Sequence, residues 1–175
     1  MAKKTAVLAL NPVNGYGLFN YLENFYEHQI PYKVFAVATS THIKTNSGIQ
    51  IEADDVIANL KGHAADYDAL VFACGDATPV FAQHAGEKHN QDMLAVIKEF
   101  ADAGKLMIGH CAAAMYFEMS GAASGKKFAI HPLAKAALSK NTALDDKTSI
   151  DGNFYTAQCE HDVAALMPAI LKALK

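Results

Sequence analysis

The sequence contains no arginine and no tryptophan, and only three of its 175 residues are cysteine. All 15 basic residues are lysines, so the chain has no planar guanidinium group for bidentate binding of carboxylate or phosphate. The formal net charge of -3 provides no basic surface of the kind that binds nucleic acid or an anionic membrane. We therefore expect no nucleic-acid partner and no membrane partner, and a large, multiply anionic substrate is disfavoured.

Long apolar runs and cysteine pairs are also lacking. The first apolar run, residues 6–10, stops at Asn11 and Pro12, which makes it too short for the core of a signal peptide. No segment reaches transmembrane length. An odd number of cysteines without CxxC spacing argues against a secreted disulfide framework, so we predict a cytoplasmic protein. With 51% hydrophobic residues, the chain has enough apolar surface for one core, and we predict a single domain over residues 1–175.

Strand and helix patterns alternate along the chain, with Gly- and Pro-containing loops between them. Predicted strands cover residues 5–10, 32–39, 69–73, 106–108 and 127–130, with further extended segments in 142–158. Predicted helices cover residues 17–29, 90–103, 112–119 and 163–174, and another helix begins after His131. The segment 42–52 predicts a hairpin, and Asp54 or Asp55 is expected to cap a short helix. This alternation is typical of a parallel α/β sandwich, whose ligands bind at the carboxyl ends of the strands. We therefore expect the site in the loops after Leu10, Ala73, Ile108, Ile130 and Gln158.

Cys111 lies between a predicted strand and a predicted helix, and small residues surround it. Gly109 and Ala113 stand two positions before and after it, which is the pattern of a nucleophile elbow. Such a turn holds its central residue in a strained conformation at a helix N-terminus, where thiolate is favoured over thiol. A small buried core cysteine remains the alternative.

Two further segments place candidate catalytic groups at the same predicted edge of the sheet. Gly75 follows the strand 69–73, and its N–H together with that of Ala112 would form an oxyanion hole beside Cys111. His131 ends the strand 127–130, where it would act as a general base or orient the thiolate. The simpler alternatives are that Gly75 is a turn glycine and that His131 is a solvated or structural residue.

Four segments, taken in order, resemble the DJ-1/PfpI family: residues 67–75, 98–105, the turn at Cys111, and 125–135 with its Gly-Lys-Lys and His-Pro-Leu-Ala-Lys ends. The resemblance implies a flavodoxin-like three-layer α/β sandwich with a mostly parallel sheet, in a homodimer or larger homo-oligomer. It also implies that Cys111 is the reactive cysteine and that His131 lies beside it. Family members include cysteine peptidases, glyoxalases or deglycases, isonitrile hydratases, redox sensors and holdase chaperones, so the resemblance leaves the reaction open.

The chain departs from the family pattern in several places. The family glutamate after the first strand is missing, because residues 11–20 contain no carboxylate and Glu23 is expected to face solvent. Asn14 or Tyr16 would approach the sulfur instead, although neither is an adequate acid or base. The histidine next to the cysteine, His110, precedes it and is expected to be a packed residue. Cys74 and Ala113 replace two glycines that the family commonly has.

The sequence leaves two classes of function open. In the first, Cys111 catalyses hydrolysis or addition at a small carbonyl or amide substrate. In the second, Cys111 is a redox-sensing thiol of a chaperone-like stress protein, and Cys74 or Cys159 converges on it as a resolving cysteine. Cys74 and Cys159 would otherwise be small apolar filling. A soft-metal site of Cys111, Cys159, His131 and His161 lacks any tight ligand spacing, so we predict no metal and no cofactor.

Overall fold

The computed structural model describes residues 3–175. The strands are β1 (Thr5–Ala9), β2 (Tyr32–Ala36), β3 (His42–Lys44), β4 (Gln50–Glu52), β5 (Asp55–Val56), β6 (Ala69–Ala73), β7 (Leu106–His110), β8 (Lys127–Ala129), β9 (Thr142–Leu144), β10 (Thr148–Asp151) and β11 (Phe154–Ala157). The α-helices are α1 (Gly15–Glu27), α2 (Phe81–His84), α3 (Lys88–Asp102), α4 (Ala113–Met119) and α5 (Val163–Leu174). Short 3-10 turns cover Ile57–Asn59, Ala64–Asp66, Pro132–Ala137 and Glu160–Asp162.

The central sheet has seven strands in the order β10-β11-β7-β6-β1-β2-β5. Every neighbouring pair is parallel except β10 and β11, which are antiparallel. Helices α1 and α5 pack together on one face, and α3 and α4 pack together on the other. The predicted three-layer, mostly parallel α/β sandwich is therefore confirmed.

Strand β1 shows how the sequence builds both layers. All five of its residues are buried, as expected for a strand covered on both faces. Because successive side chains alternate between the faces, Val7 packs in the core beneath α1 and α5, and Leu8 packs in the core beneath α3 and α4. The apolar run at residues 6–10 thus forms most of a buried inner strand of the sheet.

Most predicted elements are present, with boundaries shifted by a few residues. The hairpin is formed by β3 and β4, which pair antiparallel, and the closing helix has the predicted bounds. The predicted helix cap at Asp54 or Asp55 is wrong. Asp55 belongs to β5 at the edge of the main sheet, and the carboxylate of Asp54 accepts a hydrogen bond from the backbone N–H of Val34 in β2. These carboxylates therefore stabilise strand pairing instead of a helix end.

Strand β8 lies outside the central sheet and pairs only with β9 among residues 3–175. The expectation that His131 ends a strand of the same sheet as Cys111 is therefore wrong. His131 reaches Cys111 by another route, because its backbone N–H donates a 3.0 Å hydrogen bond to the Cys111 carbonyl oxygen.

The order of the strands places an opening at the carboxyl ends of β1 and β6. The chain runs outward from β1 to β2 on one side and returns to β6 on the other, so the loops that follow β1 and β6 diverge. This topological switch point is where ligands bind in open α/β sheets. None of the helices within residues 3–175 is long and apolar enough to cross a membrane.

Candidate reactive-thiol site

Cys111 connects β7 to α4 in a left-handed backbone conformation, with φ of 59°. This conformation is uncommon for a residue other than glycine and matches the strain predicted for this turn. The turn is tight, because a Cβ atom added to Gly109 would lie 2.4 Å from the Cβ of Ala113. The small residues on either side of Cys111 are therefore a steric requirement.

Cys74 and Cys111 line the same pocket, and each is the group with the largest effect on the pKa of the other. The Cys74 sulfur also lies 3.2 Å from Oγ1 of Thr78, and this oxygen accepts a 3.2 Å hydrogen bond from the hydroxyl of buried Tyr116. Because Thr78 accepts from Tyr116, its single hydroxyl proton is free to point at the Cys74 sulfur. A directed chain of hydrogen bonds thus runs from Tyr116 through Thr78 to the pair of thiols.

The two thiols ionise as one unit. Cys111 lowers the pKa of Cys74, and Cys74 raises the pKa of Cys111. Burial opposes ionisation of Cys74, but the Thr78 hydroxyl and the backbone N–H groups of Ala112 and Gly75 stabilise its thiolate. A second negative charge beside the first is strongly disfavoured. The pair therefore loses one proton readily and keeps the other, so that it holds a single shared negative charge.

The N–H groups predicted to form an oxyanion hole are both at the site, and both face sulfur. Ala112 N–H lowers the pKa of both Cys111 and Cys74, and Gly75 N–H lowers the pKa of Cys74. Gly75 must also be glycine, since an added Cβ would lie 2.1 Å from the carbonyl oxygen of Pro12 in the loop after β1. These donors are arranged to stabilise a thiolate.

Asn14 and Tyr16, the predicted stand-ins for the missing glutamate, are placed differently. Asn14 lines the pocket, but its Oδ1 caps α1 by accepting a 2.6 Å hydrogen bond from Gly17 N–H. Tyr16 is 59% exposed, and its ring contacts the ring of His161 with centroids 4.8 Å apart. The amide oxygen of Asn14 is thus occupied by its capping role, and Tyr16 belongs to the surface of α1.

His131 lines the pocket beside Cys111, and the orientation of its ring limits what it can do. Its Nδ1 accepts a 3.3 Å hydrogen bond from the backbone N–H of Leu133, which places the proton of a neutral ring on Nε2. In that tautomer the ring has no free lone pair with which to remove a proton. The arrangement favours donation from Nε2–H over the general-base role.

His110 is buried, as expected for a packed residue, and it forms part of the pocket wall. Its Nδ1 lies 3.4 Å from the Tyr21 hydroxyl, and no residue within 3–175 hydrogen-bonds its Nε2. Burial lowers the pKa of His110 to about 4, partly offset by the negative charge of Glu160. The ring is therefore neutral at physiological pH.

Cys159 does not join the two other cysteines. It follows β11 at the same edge of the sheet, but its thiol donates a 2.9 Å hydrogen bond to the carboxylate of Asp162. Burial and this hydrogen bond raise the pKa of Cys159. All three cysteines are free in this structure, and only Cys74 and Cys111 face each other.

The pocket above Cys111 has a cavity of about 540 Å³, and several of its polar residues escaped the sequence analysis, among them Asp76, Thr78 and Glu160. Thr78 lies in the polar loop after β6, where nothing in the local pattern distinguishes it from its neighbours. Glu160 was interpreted only as part of a helix cap, but it lines the pocket, and its negative charge acts on Cys111. The position of Glu160 just after the last parallel strand was the available signal.

The chain resembles known proteins in sequence over its whole length. The sequence model of the DJ-1/PfpI family matches residues 3–173. Protein ppBat of Bacteroides thetaiotaomicron is 58% identical over 175 residues, which cover 100% of both chains.

Several solved structures resemble the chain in fold. The crystal structure of the "putative protease I" from Bacteroides thetaiotaomicron has a TM-score of 0.98 and 58% identity, covering 99% of this chain and 100% of that one. Drosophila melanogaster DJ-1beta has a TM-score of 0.84 and 22% identity, covering 99% of this chain and 91% of that one. A mutant of a DJ-1 superfamily protein from Salmonella typhimurium has a TM-score of 0.86 and 20% identity, covering 98% and 90%. The last two likenesses concern the fold alone.

Proposed function

The chain belongs to the DJ-1/PfpI family, and from that premise we propose that it is a thiol redox protein in which Cys111 and Cys74 are oxidised together. The observation that carries this proposal is that Cys74 and Cys111 line one pocket, where the Thr78 hydroxyl lies 3.2 Å from the Cys74 sulfur and each thiol acts on the ionisation of the other. A reactive cysteine beside a resolving cysteine is the arrangement of a peroxide-responsive site. Cys74, which replaces a common family glycine, supplies that second thiol.

The proposed chemistry has two steps with a peroxide as the oxidant. The Cys111 proton first passes to Cys74, and the Cys111 thiolate so formed attacks one peroxide oxygen. The O–O bond breaks, and the leaving oxygen takes the Cys74 proton to become water or an alcohol. Cys111 is then a sulfenic acid. The Cys74 thiolate attacks the Cys111 sulfur, the S–O bond breaks, and the leaving hydroxide takes a proton to become water. The pair has lost two electrons as a disulfide forms, and the peroxide has been reduced.

Peroxide titration followed by intact-mass analysis tests this proposal. Reduced protein should lose the mass of two hydrogens, and a reductant should restore it. Cys74→Ser should instead gain oxygen at Cys111, because no resolving thiol remains. Cys159→Ser is the matched control and should behave as the unsubstituted chain. Formation of the disulfide through Cys159, or no oxidation of Cys111 at all, would contradict the proposal.

A second candidate function is hydrolysis of, or addition to, a small carbonyl or amide substrate. The cavity of about 540 Å³ above Cys111 favours it, since a site that reacted only with peroxide needs no such space. Cys111 would attack the substrate, Ala112 N–H would stabilise the developing oxyanion, and His131 Nε2–H would donate to the leaving group. The resemblance of the chain to a protein described as a "putative protease I" supports the same class.

Turnover assays distinguish the two candidates. Conversion of methylglyoxal should be weak, because the glutamate that the family carries after the first strand to move this proton is missing. A hydrolase would lose its activity in Cys111→Ala and retain it in Cys74→Ser. Vigorous methylglyoxal turnover that depends on Cys111 would place the second candidate first.

We also propose a homodimer or larger homo-oligomer in the cytoplasm. Helix α1 exposes Tyr16, Phe19 and Tyr26 on one side, and the Tyr26 side chain is 76% exposed. Aromatic residues are enriched at protein interfaces, so we assign this side of α1 to the contact between subunits. Sedimentation should show a dimer that Tyr26→Lys weakens. A reducing compartment suits a site that must begin as free thiols.

A further inference from the structure

The pocket above Cys111 has a one-sided charge. Asp76, in the loop after β6, and Glu160, after β11, both line it. None of the described residues that line the pocket is a lysine, and the chain contains no arginine. A substrate in this pocket therefore meets two carboxylates and no lysine or arginine. The histidines beside them are His131, in the pocket wall, and His161, whose Nε2 lies 3.9 Å from Oε1 of Glu160.

The lysines near the pocket do not balance these carboxylates. Lys135 follows Ala134 of the pocket wall, but its ammonium group is paired with Asp145. Lys147 donates a 2.8 Å hydrogen bond to the side-chain oxygen of Gln158. His110, a buried histidine of the pocket wall, is held neutral by burial. Each of these potential positive charges is thus absent or already engaged.

The charge of Glu160 reaches the reacting atoms. Its negative charge raises the pKa of Cys111. It also raises the pKa of His110, against the larger lowering caused by burial. An apolar pocket wall screens such a field less than bulk water does. The residues on that wall include Met115, Leu133 and Ala137.

We propose that the Cys111 pocket selects small molecules that carry a positive charge, such as amines, and excludes carboxylates. The inference rests on the proposed function, because it assumes that Cys111 is the reactive group. It adds the substrate class: a cationic or amine-bearing peroxide, carbonyl or amide. Asp76 and Glu160 are its specificity-determining residues.

Matched alkylating reagents test this selectivity without a known substrate. Two pairs are used: iodoacetamide with iodoacetate, and 2-bromoethanol with (2-bromoethyl)trimethylammonium. Peptide mass mapping gives the rate at Cys111 separately from the other cysteines, and each rate is divided by that of 2-mercaptoethanol. The measurements are made at about pH 8, above the range in which histidine usually titrates.

The cation should modify Cys111 about five- to ten-fold faster than its neutral partner, and the anion should react slower by a similar factor. Both ratios should approach one when the ionic strength rises from about 0.01 M to about 1 M, where the Debye length is about 3 Å. Glu160→Gln and Asp76→Asn should each reduce the ratios. Glu23→Gln, which removes an exposed carboxylate of α1 outside the pocket, should leave them unchanged.

Comparing each charged reagent with its neutral partner separates selectivity from thiol reactivity. A pKa change at Cys111 alters both members of a pair alike and leaves the ratio constant. Equal normalised rates for charged and neutral reagents would overturn the charge inference while Cys111 remained a reactive thiol. If no reagent modified Cys111, the proposed function and this inference would both fail.

Discussion

Two neighbouring parallel strands, β7 and β11, are each followed by a cysteine, and the two cysteines have different surroundings. Cys111 has φ of 59° and meets a second thiol together with backbone N–H donors. Cys159 has an extended backbone, with φ of -146°, and its thiol donates to the carboxylate of Asp162. The backbones of the two strands are joined directly, because Cys111 N–H donates to the carbonyl oxygen of Ala157 at the end of β11.

A position at the carboxyl edge of the sheet is therefore not enough to make a cysteine reactive. The left-handed turn at Cys111 brings its sulfur to Cys74, where hydrogen-bond donors stabilise a negative charge. The extended conformation at Cys159 brings its sulfur to an acceptor that carries a negative charge already. Nucleophilic strength follows the fraction of thiolate, and the pair of Cys111 and Cys74 holds a negative charge that Cys159 lacks, so we expect the pair and not Cys159 to react near neutral pH.

The largest expected effect is the loss of all peroxide oxidation at the site in Cys111→Ser. This substitution removes the sulfur and little volume, so the melting temperature should change by only a few degrees. Intact-mass analysis after peroxide and a thermal melt are the two measurements. The matched Cys159→Ser variant should keep full oxidation, and equal losses in both variants would remove the distinction between the two strand ends.

The second prediction concerns His110, which lies just before Cys111 at the end of β7. Burial lowers its pKa from 6.5 to about 4 in the folded state. Between these values the unfolded chain binds more protons, so the free energy of unfolding should decrease as pH falls from about 6.5 to about 4. The decrease should reach about 3 kcal/mol, since each pKa unit is worth about 1.4 kcal/mol. Above the ordinary pKa, the ring is neutral in both states and contributes no pH dependence.

Urea unfolding at several pH values checks this effect, with His110→Leu as the comparison. Carboxylates also titrate in acid, so the quantity that matters is the difference between the two pH profiles. The leucine variant should lack the His110 part of the decline. Parallel profiles for the two proteins would show that His110 is protonated without cost in the folded state.

The third prediction is that Cys74→Ser makes Cys111 react faster with iodoacetamide at neutral pH. In the unsubstituted chain, Cys74 raises the pKa of Cys111, and a serine hydroxyl stays neutral. The pH at which Cys111 is half-reactive should fall by about one unit or more, which corresponds to roughly ten-fold in rate below that pH. Thr78→Val should change the rate at Cys111 less than Cys74→Ser does, because it removes only one donor to the Cys74 sulfur. A slower reaction in Cys74→Ser would mean that Cys74 activates Cys111.

The smallest expected effect is at the other strand end. Asp162→Asn removes a carboxylate that raises the pKa of Cys159, after the larger contribution of burial. Alkylation of Cys159 should become faster by a few-fold, since the donor-acceptor arrangement and part of the burial remain. The rate at Cys111, measured on the same peptides, should not change. A gain at Cys159 that matched the reactivity of Cys111 would show that one carboxylate alone separates the two cysteines.

Local pattern predicted the fold better than it predicted the site. The buried runs of β1 and β6 and the closing helix were clear from their apolar periodicity, and Gly109 and Ala113 indicated the turn at Cys111. Asp55 was misread because an acidic residue before a short helix resembles a cap, and its pairing with β2 is a contact between distant parts of the chain. Strand β8 was wrongly assigned to the main sheet for the same reason, because strand pairing depends on contacts outside the local pattern.

The sequence by itself determined the order of strands and helices, the family and the position of the strained cysteine. Each of these depends on residues within a few positions of one another, where hydrophobic period and steric size act directly. Only the tertiary structure decided that Cys74 pairs with Cys111 while Cys159 turns to Asp162, and that Glu160 faces the pocket. Those contacts join the ends of different strands, and their geometry depends on backbone dihedral angles and sheet order. The charge and the proton affinity of the site are set there, because both depend on distances that a linear sequence does not contain.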